Sequence, residues 1–131
     1  LRLAELTGRR ELAERAERTI LSVGSLLNRY PAGFSQLLQA VDFLAAGPRE
    51  IVIAGEPGTE AVREMLRVVR SRFLPQRVVA LAHAGADTEL VPLLEQRTAP
   101  EGGARAYVCR NWVCKEPVDT AAGLAAQLDA P

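Results

Sequence analysis

At 131 residues the chain has the length of one modest domain, enough to close a single core. Its 16 basic and 16 acidic side chains cancel, so no overall field draws it to nucleic acid or to an anionic lipid surface. No apolar run approaches the roughly 20 residues of a spanning helix, and the N-terminal LRLAELTGRR lacks the apolar core of a signal peptide, so a cytoplasmic chain without nucleic-acid or membrane partners is expected.

The chain starts without Met and already in helical register, which reads as a piece cut from something longer. Leu1 to Leu6 continue as the last turns of a helix, and Thr7 and Gly8 form its stop. In ELAERAERTILSVGSLLNRY, residues 11–30, Leu12, Ala16, Ile20, Val23, Leu27 and Tyr30 recur at helical spacing, with Glu11, Arg15 and Arg18 on another face. So short a link between the two predicts an antiparallel helical hairpin. A third helix, FSQLLQAVDFLAAG, sets Phe34, Leu37, Leu38, Val41, Leu44 and Ala45 on one stripe before Gly47 and Pro48 stop it.

The period then changes. EIVIAG (50–55), RVVALA (77–82) and ARAYVC (104–109) are short apolar runs rich in β-branched residues. Between the first two, TEAVREMLRVVRSRF returns to helical spacing through Val62, Met65, Leu66 and Val69, with Thr59 as its cap. Strand, helix, strand with continuously apolar strands predicts a small three-stranded parallel sheet, a Rossmann-like layer with flanking helices. A short helix is expected over 87–97 despite Pro92, a loop at TAPEGG (98–103), and a closing helix over 119–128 with Asp119 as its cap. The fold class is α/β, with a boundary near Gly47 dividing a helical segment, 1–47, from a small α/β domain, 48–131. The third helix can still pack on the sheet.

In a parallel sheet, ligands bind beyond the carboxyl ends of the strands. Those ends are GEPGTE (55–60), HAGAD (83–87) and CRNWVC (109–114), which places Glu56, His83 and Cys109 on one rim, with Arg110 and Trp112 in the loop after Cys109. GEPGT has two glycines but matches neither the dinucleotide fingerprint nor the lysine-bearing phosphate loop, and Glu56 repels a phosphate. It reads instead as a plain tight turn, with Thr59 capping the helix that follows. His83 is the sole histidine, a candidate base or proton shuttle or else a plain loop residue.

The only cysteines, Cys109 and Cys114, are separated by four residues, not the two of a thioredoxin-type motif. With one distant histidine they cannot complete a tetrahedral zinc site, so no metal and no cofactor is expected. Three alternatives stay open: two unpaired thiols, an oxidisable pair if the turn brings the α-carbons within about 7 Å, and a reactive cysteine whose pKa Arg110 and Lys115 lower. Trp112 is expected to fold back over apolar surface.

Three stretches together carry a family likeness: LRLAELTGRRELAERAERTI, then PREIVIAGEPG with RSRFLPQRVVAL, then YVCRNWVCKEPVDTAAGLAAQL. In that order they resemble the C-terminal end of the spermatogenesis-associated thioredoxin-domain proteins, the segment from YVC to PV being the most specific part. The resemblance implies an N-terminal thioredoxin-like domain and an α/α toroid similar to sugar epimerases and six-hairpin glycosidases. The opening helices would be the toroid's last hairpin. The family's thioredoxin-like motif and most of the toroid cavity would lie upstream of Leu1, so no catalytic residue transfers to this chain.

The function expected from these features is a C-terminal structural and interaction module, partnered by upstream domains of its own polypeptide and without a complete active site. A redox role for Cys109 and Cys114 toward the thioredoxin-like domain is one rival. Small-ligand binding at the rim by Glu56, His83, Arg110 and Trp112 is another. Apolar side chains on several faces of residues 11–29 also lead to the expectation that the isolated chain forms a homodimer.

Overall fold

The computed structural model describes residues 1–110 and 113–130. Its centre is β1 (Arg49–Gly55), whose residues 50–54 are all buried. β1 lies between β2 (Arg77–Ala82) and β3 (Ala104–Arg110), and a two-residue β4 (Val113–Cys114) extends the sheet in the order β2-β1-β3-β4. β1 and β2 are parallel, in register from Arg49↔Arg77 to Ala54↔Ala82, and are joined through helix α5 (Glu60–Arg70). Thr59 caps that helix as expected, its hydroxyl accepting from the Val62 N–H.

The α/β class stands, but the sheet is mixed where three parallel strands were expected. β3 runs antiparallel to β1, from Gly55↔Ala104 to Arg49↔Arg110. The connection explains the reversal. A parallel third strand needs a crossover that carries the chain back along a sheet face, usually as a helix. The helix expected over 87–97 does not form; only a 3₁₀ turn, Pro92–Leu94, is present. Pro92 lacks an N–H and pushes Val91 to an extended conformation (φ −126°, ψ 78°), while the Asp87 carboxylate and carbonyl take the N–H groups of Leu90 and Val91. The segment therefore stays near the edge where β2 ends, and β3 starts from that edge.

Each face of the sheet has its own core. On one, Ile51, Ile53, Ala104, Ala106 and Val108 meet Val62, Met65 and Val69 of α5 and Leu124 and Leu128 of α6 (Ala121–Asp129). Thr120, not Asp119, caps α6, its hydroxyl accepting from Gly123 N–H; Asp119 is instead held by Arg105 in a two-bond pair of 2.5 and 2.8 Å. On the other face, Val52, Ala54, Val78, Ala82 and Tyr107 are covered by Phe43, Leu93 and Leu94.

The helical part begins with α1 (Arg2–Thr7), ended by Gly8 in the left-handed conformation (φ 66°). Leu1 and Leu6 pack against the second core. The helix expected through 11–29 is two: α2 (Arg10–Ser22) and α3 (Gly24–Arg29). The Ser22 hydroxyl donates to the Thr19 carbonyl and Val23 N–H bonds Ile20, a tightened turn that interrupts the ladder before Gly24. Helix α4 (Ser35–Ala46) follows a 3₁₀ turn, Pro31–Phe34. Its buried residue is Phe43, outside the predicted stripe, whose members Leu38 and Leu44 are each 38% exposed.

Candidate functional site

The antiparallel course of β3 divides the expected rim. Glu56 and His83 remain together at the carboxyl edge of β1 and β2, where they line a cleft of about 450 Å³ with Ala82, Gln96, Arg97 and Thr98. Both side chains are exposed, and His83 Nδ1 lies 2.8 Å from the Ala84 carbonyl oxygen. The turn between β1 and α5 is built closely: Gly55 has φ 151°, and a Cβ there would lie 2.7 Å from Val62 Cγ2 and 3.0 Å from the Gly103 carbonyl oxygen. Arg110 is at the opposite end of the sheet, paired across the ladder with Arg49. Trp112 lies outside the described residues.

Cys109 and Cys114 also leave that rim. They face each other across the β3–β4 ladder, Cα atoms 3.9 Å apart, and their sulfurs are joined as a disulfide. Of the three states left open by the sequence, the pair is therefore the oxidised one here. Cys109 is 2% exposed, whereas Cys114 is on the surface. After Cys114 the chain keeps following β3, with Lys115 N–H on the Val108 carbonyl and two backbone bonds joining Val118 to Ala106. Pro117 sits in this edge segment, where a missing N–H costs no ladder bond.

Arg110 and Lys115, the two cations expected to act on the thiols, are on the wrong face. Arg110, two positions along β3, shares the face of Val108, which is in the α5–α6 core. Lys115 is opposite Val108, and its Nζ donates to the Gln127 carbonyl of α6 at 3.2 Å. Arg49, on the same side, donates to the Leu128 carbonyl at 2.8 Å, and burial holds its pKa below the usual value, with Arg110 adding to the effect.

The cation that does reach the sulfurs is Arg97. Its Nη2 lies 3.2 Å from Cys114 Sγ and 4.0 Å from Cys109 Sγ. Its guanidinium stacks over the Tyr107 ring, 4.8 Å from the centroid, a cation–π contact. The backbone around it is held as well. The Tyr107 hydroxyl donates to the Thr98 carbonyl at 2.8 Å and accepts from Thr98 N–H at 3.1 Å, and Gln96 adopts a left-handed φ of 59°. Among the described residues no salt bridge involves Arg97. On this face the acidic neighbour is Glu50, fully buried and directly across β1 from Cys109. Arg97 thus links the cleft to the disulfide. The sequence holds no local signal for it, since Arg97 precedes Cys109 by twelve positions in a segment that reads as a helix end.

Among the described residues no helix is long and apolar enough to cross a membrane, and no cluster of His, Cys, Asp and Glu could hold a metal ion. No family model matches the chain, and no solved structure matches it. Full-length relatives do. The chain is 25% identical over 121 residues to spermatogenesis-associated protein 20 of Rattus norvegicus and, over the same length, to that of Homo sapiens. An uncharacterized protein of Caenorhabditis elegans is 23% identical over 120 residues. The match to the rat and human proteins takes in 90% of the chain and only 15% of theirs. Over nearly its whole length, then, the chain is similar to spermatogenesis-associated protein 20, in a way consistent with a C-terminal region of that family.

Proposed function

We propose that the chain is the C-terminal structural and interaction module of a larger polypeptide, docked on the parts that precede it through the outer side of α2, α3 and α4. One observation carries this reading. Helix α2 is amphipathic yet contains no buried residue, and Leu21, Leu26 and Tyr30 are 78%, 48% and 55% exposed. Beside them a groove of about 390 Å³ is lined by Ala16, Ile20, Leu37, Ala40 and Phe43. Exposed large apolar side chains and a groove on the same helical layer mark a contact site. The relatives supply an occupant, because 85% of their length lies outside the matched region, the matched share being 15%. In the family resemblance that occupant is the helical toroid, of which α1 and α2 are the closing hairpin.

The test compares two backgrounds. Leu21→Glu with Leu38→Glu is expected to lower the melting temperature of a longer polypeptide ending in this module, and to leave that of the 131-residue chain unchanged at concentrations where that chain is monomeric. Equal melting shifts in both would overturn the proposal. A cytoplasmic setting remains part of this reading, and it bears on the disulfide: in a reducing compartment such a bond is made and broken, not a permanent staple.

A further inference from the structure

We propose that Cys109–Cys114 is a thiol–disulfide exchange site, entered at Cys114 and poised by Arg97, with a dithiol as its reaction partner. The inference stands apart from the helical docking face, because the disulfide sits at the far edge of the sheet on β3 and β4.

Exchange needs a reachable sulfur, a leaving sulfur whose charge is stabilised, and a means of resolution. Access differs sharply between the two: Cys114 is exposed, and Cys109 is 2% exposed. An incoming thiolate therefore attacks Cys114 Sγ. A mixed disulfide forms, the Cys109–Cys114 bond breaks, and Cys109 leaves as the thiolate. That charge is generated in a buried position, surroundings that disfavour an anion. Arg97 answers this: its guanidinium already lies against both sulfurs, held by Tyr107 and without a salt bridge among the described residues. In the second step the partner's other thiolate attacks its own sulfur in the mixed disulfide and expels Cys114 as thiolate, 3.2 Å from Arg97 in the starting geometry. The partner's dithiol is oxidised to a disulfide, the protein disulfide is reduced to two thiols, and the protons released by the partner balance those taken up here. The reverse sequence oxidises a substrate dithiol.

A purely structural cross-link would need neither the exposed sulfur nor the cation. Arg97 is accordingly a positioning and charge-stabilising residue, and its removal should change the exchange equilibrium without changing the fold.

The experiment equilibrates the native chain with dithiothreitol over a range of reduced-to-oxidised ratios, quenches with iodoacetamide, and reads alkylation by mass. Wild type is expected to be reduced natively, and the aromatic disulfide dithiobis-nitrobenzoate is expected to react first with Cys114, faster in Cys109→Ser than with Cys109 in Cys114→Ser. Arg97→Met, which keeps an apolar stem over Tyr107, is expected to shift the equilibrium about tenfold toward the disulfide, about 30 mV for a two-electron couple. Arg97→Lys should recover part of the shift. Circular dichroism on each variant separates loss of fold from loss of poise, and Arg97→Gln replaces Arg97→Met if the latter unfolds. Reduction only after denaturation, first labelling at Cys109, or an unchanged equilibrium in a folded Arg97→Met or Arg97→Gln chain would each overturn the proposal.

Discussion

β1 and α2 are the two most instructive segments to set side by side. Five consecutive residues of β1 are buried, covered on one face by α5 and α6 and on the other by Phe43, Leu93, Leu94 and the chain's first residues. Helix α2, 13 residues long with an evident apolar stripe, buries none. Both patterns are regular, but a strand inside a sheet has partners on two faces, whereas a helix finds a partner only where tertiary structure supplies one. Regularity predicts the element, and topology decides its burial.

The contrast breaks if equivalent truncations cost the same in both places. Ile53→Ala empties a fully buried site between the sheet and α5, and about 3 kcal/mol of stability should be lost in urea unfolding. Leu21→Ala, at 78% exposure, should cost less than about 0.5 kcal/mol. A second change sharpens the point that the sheet's edge is built to close tolerances. Gly55→Ala puts a methyl 2.7 Å from Val62 Cγ2 and 3.0 Å from a backbone carbonyl, at a φ of 151°, and is expected to cost about 2 kcal/mol. Gly58→Ala meets nothing within 4 Å and carries only the cost of its φ of 84°, so it should do less harm. Equal losses at the two glycines would remove close packing as the explanation.

The same contrast marks what could be read without a structure. All three long strands, the α5 stripe and the Thr59 cap were legible because each follows from spacing or from a side chain beside a helix end. The direction of β3 was not, since it depends on what a 21-residue connection does between Ala82 and Ala104. Pro92 held the relevant information, but its effect on strand order passes through the missing helix. The candidate site split for the same reason: Glu56 and His83 belong to strands correctly taken as parallel, and Cys109 and Arg110 to the strand that was not. Asp119 and Arg97 are errors of another kind. Each side chain is claimed by a partner remote in sequence, Arg105 in one case and the sulfur pair with Tyr107 in the other.

A further way to sharpen the comparison concerns association, with little effect on the stability of the single chain. If the outer side of α2 and α3 is contact surface, the isolated chain should pair through it at micromolar concentration as a two-fold dimer, the commonest closed symmetry. Sedimentation is expected to show a dimer, and Leu21→Glu with Leu26→Glu should return it to a monomer whose unfolding midpoint no longer rises with protein concentration. A wild-type monomer under these conditions would count against the helical layer as a contact surface.

The smallest effect is expected from the ion pairs that tie the sheet side together, Arg105–Asp119 and Arg72–Asp129. The Arg105 guanidinium holds the Asp119 carboxyl below the usual range, and Arg72 does the same for Asp129. A carboxyl whose folded pKa is depressed contributes stability that is present above its unfolded value, about 3.9, and is lost as pH falls through the folded value. Glu5 works in the opposite sense. Burial raises its pKa, so its contribution is present at low pH and lost as pH rises through the folded value. The acid limb below about pH 4 therefore belongs to the aspartates, while Glu5 acts above that point. Urea midpoints measured from pH 5 to pH 2 should fall for wild type and fall less steeply for Asp119→Asn with Asp129→Asn. Both aspartates are exposed, and exposed pairs are well screened, so the difference should shrink further in high salt. Identical slopes for the two proteins in low salt would show that the pairs hold no net stability, leaving the sheet side to its apolar core alone.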